Sequence, residues 1–96
     1  MPIFKDVEKV KLFVKKVFDL ATELKIPILD EKTVSDLKTN PGATAWVIEM
    51  KVQPEDDGPI KAFLALAQYF RSIIIKRGDV FYIPHGAESY KLEAAG

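Results

Sequence analysis

The sequence predicts an α/β (α+β) domain, a mixed central sheet flanked by two helices in the order αβββαββ. Three observations carry that expectation. Apolar residues recur every three or four positions in two separate stretches. Short runs rich in β-branched and aromatic residues lie between and after them. Turns containing Pro or Gly separate the runs.

In the first stretch, Ile3, Val7, Val10, Val14, Val17, Ala21 and Leu24 share one face, which Phe13, Phe18 and Leu20 widen. This predicts a helix over about residues 4–25, ended by Pro27. "IPIL" is compatible with a short buried strand. "KTVSDLK" reads in two ways. As a strand it leads into the "NPGA" turn. As a helix, Thr33 and Asp36 form a capping-box-like pair. The strand is preferred, because the helix so capped would have only about six residues. "TAWVIEMKV" is the clearest strand. Pro59 suits the first turn of a second helix, whose face Ile60, Phe63, Leu64, Ala67 and Phe70 reaches to about Arg71. "SIIIK" and "DVFYIP", joined by the turn "RG", read as a hairpin, and the tail from residue 85 to 96 is expected to fray.

Ninety-six residues form one domain with a single core. No cysteine is present, which excludes disulfides, thiolate zinc sites and a Cys nucleophile. With one histidine, Ser-His hydrolases and zinc enzymes are also disfavoured. No apolar run approaches the roughly 20 residues of a membrane span, and no signal-peptide pattern opens the chain; a soluble, cytoplasmic protein without a membrane partner is expected. Fourteen basic residues balance fourteen acidic ones, so no overall field draws in nucleic acid.

Chemistry concentrates in "VSDLKTNPGATAWVIEMKV". Along this strand Trp46, Ile48, Met50 and Val52 point one way, and Ala45, Val47, Glu49 and Lys51 the other. If Pro41 and Gly42 form the turn centre, Val47 faces Asp36 and Glu49 faces Val34. Asp36 and Glu49 are then diagonal neighbours on one face, about 7–8 Å apart. Two such carboxylates can converge on a hard cation, Mg²⁺ or Mn²⁺. Lys51, on the same face, can orient a water or stabilise charge on a phosphate. Alone, Glu-x-Lys on a strand is ordinarily a solvated face.

This arrangement resembles the PD-(D/E)xK nuclease superfamily, and within it the archaeal Holliday-junction resolvases. There an acid ends one strand, a turn follows, and the next strand carries Glu-x-Lys; here these are Asp36 in "SDL", "NPGA" and "VIEMK". The order of elements over residues 4–84 is similar as well, although Ser35 stands where the family has Pro. The resemblance implies a restriction-endonuclease-like core and a small metal-dependent endodeoxyribonuclease acting on duplex or branched DNA. Asp36 and Glu49 would bind Mg²⁺ or Mn²⁺, with the Met50 backbone carbonyl as a further ligand, and Lys51 would activate the attacking water. The family's first helix often supplies another acid, for which Asp6 is better placed than Glu8; the ordinary alternative is a solvated helix-start acid. Gln68 and Lys61 fall where the second helix often carries a polar residue. Lys61, Arg71, Lys76 and Arg77 are candidate phosphate contacts, and a branched duplex with one site per chain implies a homodimer.

Two other readings compete. "GDVFYIPHG" looks like the closing strand of cupins, but Ser89 stands where a metal-binding His is expected, and His85 in a Pro-His-Gly turn is ordinarily an exposed loop residue. The second is a non-catalytic binding or assembly subunit, with Glu49 and Lys51 an ion pair and Phe81 and Tyr82 on an edge strand open to self-association.

Overall fold

The computed structural model describes residues 7–53, 57–89 and 91. Its elements are α1 (Val7–Leu24), α2 (Glu31–Thr39), β1 (Trp46–Lys51), α3 (Gly58–Tyr69), β2 (Ile75–Arg77) and β3 (Val80–His85). The mixed α+β class, both expected helices and the strands at β1, β2 and β3 are present. The sheet is not mixed: it has three antiparallel strands in the order β1-β3-β2. α3 carries the chain from β1 to the far edge, and the β2–β3 hairpin returns β3 to the middle. Its turn places Gly78 at φ 64°, a conformation that favours glycine. β3 is therefore the central strand, not an edge.

The expected strand and hairpin around Asp36 are replaced by α2, and the reason lies upstream. The N-cap is Asp30, not Thr33. Its carboxylate accepts hydrogen bonds from the Lys32 and Thr33 backbone N–H groups at 3.1 and 3.3 Å and from the Thr33 hydroxyl at 2.9 Å. Starting there, the helix runs nine residues rather than six, gains the i,i+4 pair Lys32–Asp36 at 3.2 Å, and buries Leu37. "IPIL" keeps a trace of strand as a single antiparallel bridge between Ile28 and Met50. The Leu29 N–H donates to the Glu49 carbonyl and the Lys51 N–H to the Pro27 carbonyl, so residues 27–29 cover the outer edge of β1.

α1, α2 and α3 bury their apolar residues in one cluster against one face of the sheet. Phe13, Ile48, Met50, Phe63, Phe81 and Ile83 are inaccessible to solvent at its centre. Phe13 lies 5.0 Å from Phe70 and 6.2 Å from Trp46, and Phe63 lies 5.3 Å from Phe81. These tilted rings tie α1 to α3 and both to the sheet. The tail expected to fray is held at its start. His85 ends β3, and Gly86 at φ 67° approaches the Thr44 carbonyl so closely that a Cβ would collide with it. No helix among the described residues is long and apolar enough to cross a membrane.

Leu37 is the one residue of α2 that is fully buried, at 2 % exposure. Leu37→Ala is expected to cost about 2–5 kcal/mol in urea denaturation. A change within about 0.5 kcal/mol, as at a surface position, would show that α2 is not docked.

Candidate functional site: the outer face of the sheet

The register that buries one face of the sheet decides what the other presents. Ile48 pairs with Ile83 and Met50 with Phe81, all directed to the core. Between them, Glu49 pairs with Tyr82, which pairs in turn with Ile75; Lys51 pairs with Val80, which pairs with Arg77; and Val47 pairs with Pro84. Directly opposed residues share a face, so these eight side chains form the outer surface. Pro84 is buried, Lys51 is exposed and the other six are half-buried. The centre is apolar and aromatic: Val47, Ile75, Val80 and Tyr82. Glu49 lies to one side of it and Arg77 to the other.

Of the residues predicted to form a metal centre, the structure keeps only Glu49 and Lys51 on this surface. Asp36 lies on α2, exposed, with its carboxylate bound to Lys32. It is not Glu49's diagonal neighbour across a hairpin, because no strand pairs with β1 at that position. Met50 is buried. Its flanking groups, the Glu49 carbonyl and the Lys51 amide, turn toward residues 27–29. Alternation along the strand therefore turns the Met50 carbonyl into the ladder toward Phe81, not toward a carboxylate pair. Asp6 lies outside the described residues. Among the described residues, no group of three or more His, Asp or Glu side chains could hold a metal ion.

Lys51 does not pair with Glu49. Its ammonium lies 3.1 Å from the Asp79 carboxylate, whose pKa that hydrogen bond and charge hold below the ordinary 3.8. Asp79 carried no signal in the sequence, since its position depends on β3 pairing with β1. The candidate phosphate contacts are dispersed. Lys61 pairs with Asp57 at the start of α3, and Arg71 follows the C-cap residue Phe70 at the other end, at φ 57°. Lys76 and Arg77 are successive strand residues and so point to opposite faces, the Lys76 ammonium donating to the Gly78 carbonyl at 2.9 Å. Gln68 is exposed on α3.

His85 also differs from its expected place in an exposed loop. It is half-buried at the end of β3, opposite Trp46, with the two rings stacked at 5.0 Å.

No family model matches the chain, and no curated protein or solved structure matches it.

The pH dependence of stability follows from His85. Burial pushes its imidazole below the ordinary 6.5. Above pH 6.5 the ring is neutral in the folded and unfolded chain alike. As pH falls through that value, the unfolded chain takes up a proton that the folded protein resists, and stability drops until the lower folded value is passed. The urea midpoint is expected to fall between about pH 7.5 and about pH 5, and His85→Phe, which keeps a ring on Trp46, should flatten that fall. An undiminished fall in the variant would assign it to other groups. Asp30 and Asp79, held low mainly by their hydrogen bonds with Thr33 and Lys51, act only further into acid. Their stabilisation is complete above 3.8 and lost as pH drops through their folded values.

Proposed function

We propose that the chain is a non-catalytic assembly module that forms a homodimer through the outer face of its sheet. The observation that supports this reading is the composition of that face: a half-buried centre of Val47, Ile75, Val80 and Tyr82 with Glu49 and Arg77 on opposite sides. Two copies related by a two-fold axis bring the same patch against itself, so each Glu49 can meet the other copy's Arg77. An aromatic residue at the centre and charges at the rim suit such an interface. Edge pairing is the poorer route, because β2 is three residues long and carries the exposed Lys76, while residues 27–29 cover the other edge. The neutral net charge adds no long-range repulsion between copies.

The competing reading is a Mg²⁺- or Mn²⁺-dependent endonuclease acting on duplex or branched DNA. It rests on Glu49 and Lys51 sharing this face with Asp79 bound to Lys51.

Sedimentation velocity over micromolar to high-micromolar protein is expected to show a monomer–dimer equilibrium. Tyr82→Glu should weaken it at least about tenfold, or ~1.4 kcal/mol, with an unchanged circular dichroism spectrum. A wild type that stays monomeric throughout, or a variant that dimerises as well as wild type, would overturn the assembly reading. Cleavage of supercoiled or four-way-junction DNA with Mn²⁺, lost in Lys51→Ala, would replace it with the nuclease.

A further inference from the structure

α1 ends on a residue unusual for its position. Lys25 sits at φ 59°, in the left-handed region where a helix ordinarily places Gly or Asn. The helix closes around it, the Lys25 N–H donating to the Thr22 carbonyl at 3.2 Å and the Ile26 N–H to the Ala21 carbonyl at 2.9 Å. Lys25 is thus a backbone-strained residue, and such residues cluster at ligand-binding sites.

That end of α1, residues 26–28 and α2 enclose an open-sided groove of about 720 Å³. This is the size of a small-molecule site, typically about 300–1,000 Å³. α2 lines it with one stripe at i, i+3, i+4 and i+7: Glu31, Val34, Ser35 and Lys38. Ile26, Ile28 and Val34 supply half-buried apolar surface. Lys32 and Asp36, outside that stripe, are bound to each other. Lys25 and Lys38 form no ion pair with any described residue, and both line the groove, against the single carboxylate of Glu31. In a neutral protein this groove is therefore locally cationic above an apolar floor.

We propose that the groove binds a small amphipathic anion, a carboxylate carrying a medium-length alkyl chain. The chain would lie on Ile26, Ile28 and Val34, and the carboxylate would be taken by Lys25 and Lys38. The apolar floor sets the need for the chain, and the two ammonium groups, without an ion pair among the described residues, set the charge of the head. This site is separate from the outer face of the sheet, and neither reading depends on the other.

The experiment titrates the methyl-labelled full chain with octanoate below its micelle-forming concentration, with octanol and acetate as the neutral and chainless controls. Octanoate is expected to give saturable shifts at the Ile26, Ile28 and Val34 methyls, to bind at least about tenfold more tightly than octanol, and to outcompete acetate. Lys25→Gly should preserve or raise thermal stability, since glycine suits the backbone there, yet weaken octanoate by about fivefold or more. Lys38→Gln should weaken it similarly, and the double variant should lose the preference over octanol. No saturable shift, equal binding of octanol, shifts centred on Val47 and Val80 instead, or a double variant that binds like wild type would each overturn the proposal.

Discussion

The pairing of β1 with β3 is the constraint on which the rest depends. Ile48 lies against Ile83 and Met50 against Phe81, and none of the four is accessible to solvent. A strand has a side-chain period of two, so a slip of one residue would turn Glu49 and Lys51 into the core and Ile48 and Met50 out of it. Burying two charges with no built partners is far more costly than any single contact of the outer face could offset. The inner face is thus strongly specified, and the outer face inherits its membership from it. Tyr82, Val80 and Asp79 stand beside Glu49 and Lys51 because Phe81 and Ile83 are needed elsewhere.

The helices lock that pairing from one side. Phe13 reaches both Phe70 and Trp46, so α1 holds α3 and the start of β1 in a single packing unit. α2 contributes differently. Its cap at Asp30 and its anchor at Leu37 hold residues 31–39 as a helix packed on the core rather than as a strand paired with β1, leaving only residues 27–29 along the edge of β1. The same packing gives the protein two unlike surfaces: an aromatic sheet face with mixed charges, and a groove between α1 and α2 with surplus positive charge.

Much of this was legible in the sequence. α1 and α3 announce themselves by helical periodicity, β1 by alternation, and the β2–β3 hairpin by "RG" between apolar runs. Local pattern also assigned Glu49 and Lys51 correctly to the face opposite Trp46, Ile48 and Met50. What failed was α2. Its cap lies three residues before Thr33, and a helix counted from Thr33 is too short to be stable, so the local pattern favours a strand. A strand there would give β1 a hairpin partner and put Asp36 beside Glu49, whereas the helix does neither. The true partner, β3, lies beyond an intervening helix, and such long-range pairing leaves no local mark; hence Asp79 and the central position of β3 were not readable. Nor could the burial of His85 be read from a Pro-His-Gly turn, since it depends on Trp46 lying opposite.

With Asp36 on α2 rather than beside Glu49, the outer face carries an aromatic ring, branched aliphatic side chains and charges of both signs at its border, and the proposed dimer would use it as a contact surface. The most direct test of that account looks for the contacts themselves. Isotope-filtered NOE spectroscopy on a mixture of labelled and unlabelled chains, at a concentration where the dimer is populated, reports only contacts between copies. The account predicts cross-protomer NOEs from the Tyr82 ring to the Val47, Ile75 and Val80 methyls. A dimer whose intermolecular NOEs fall on α2 or along the edge of β2, with none at Tyr82, would contradict it.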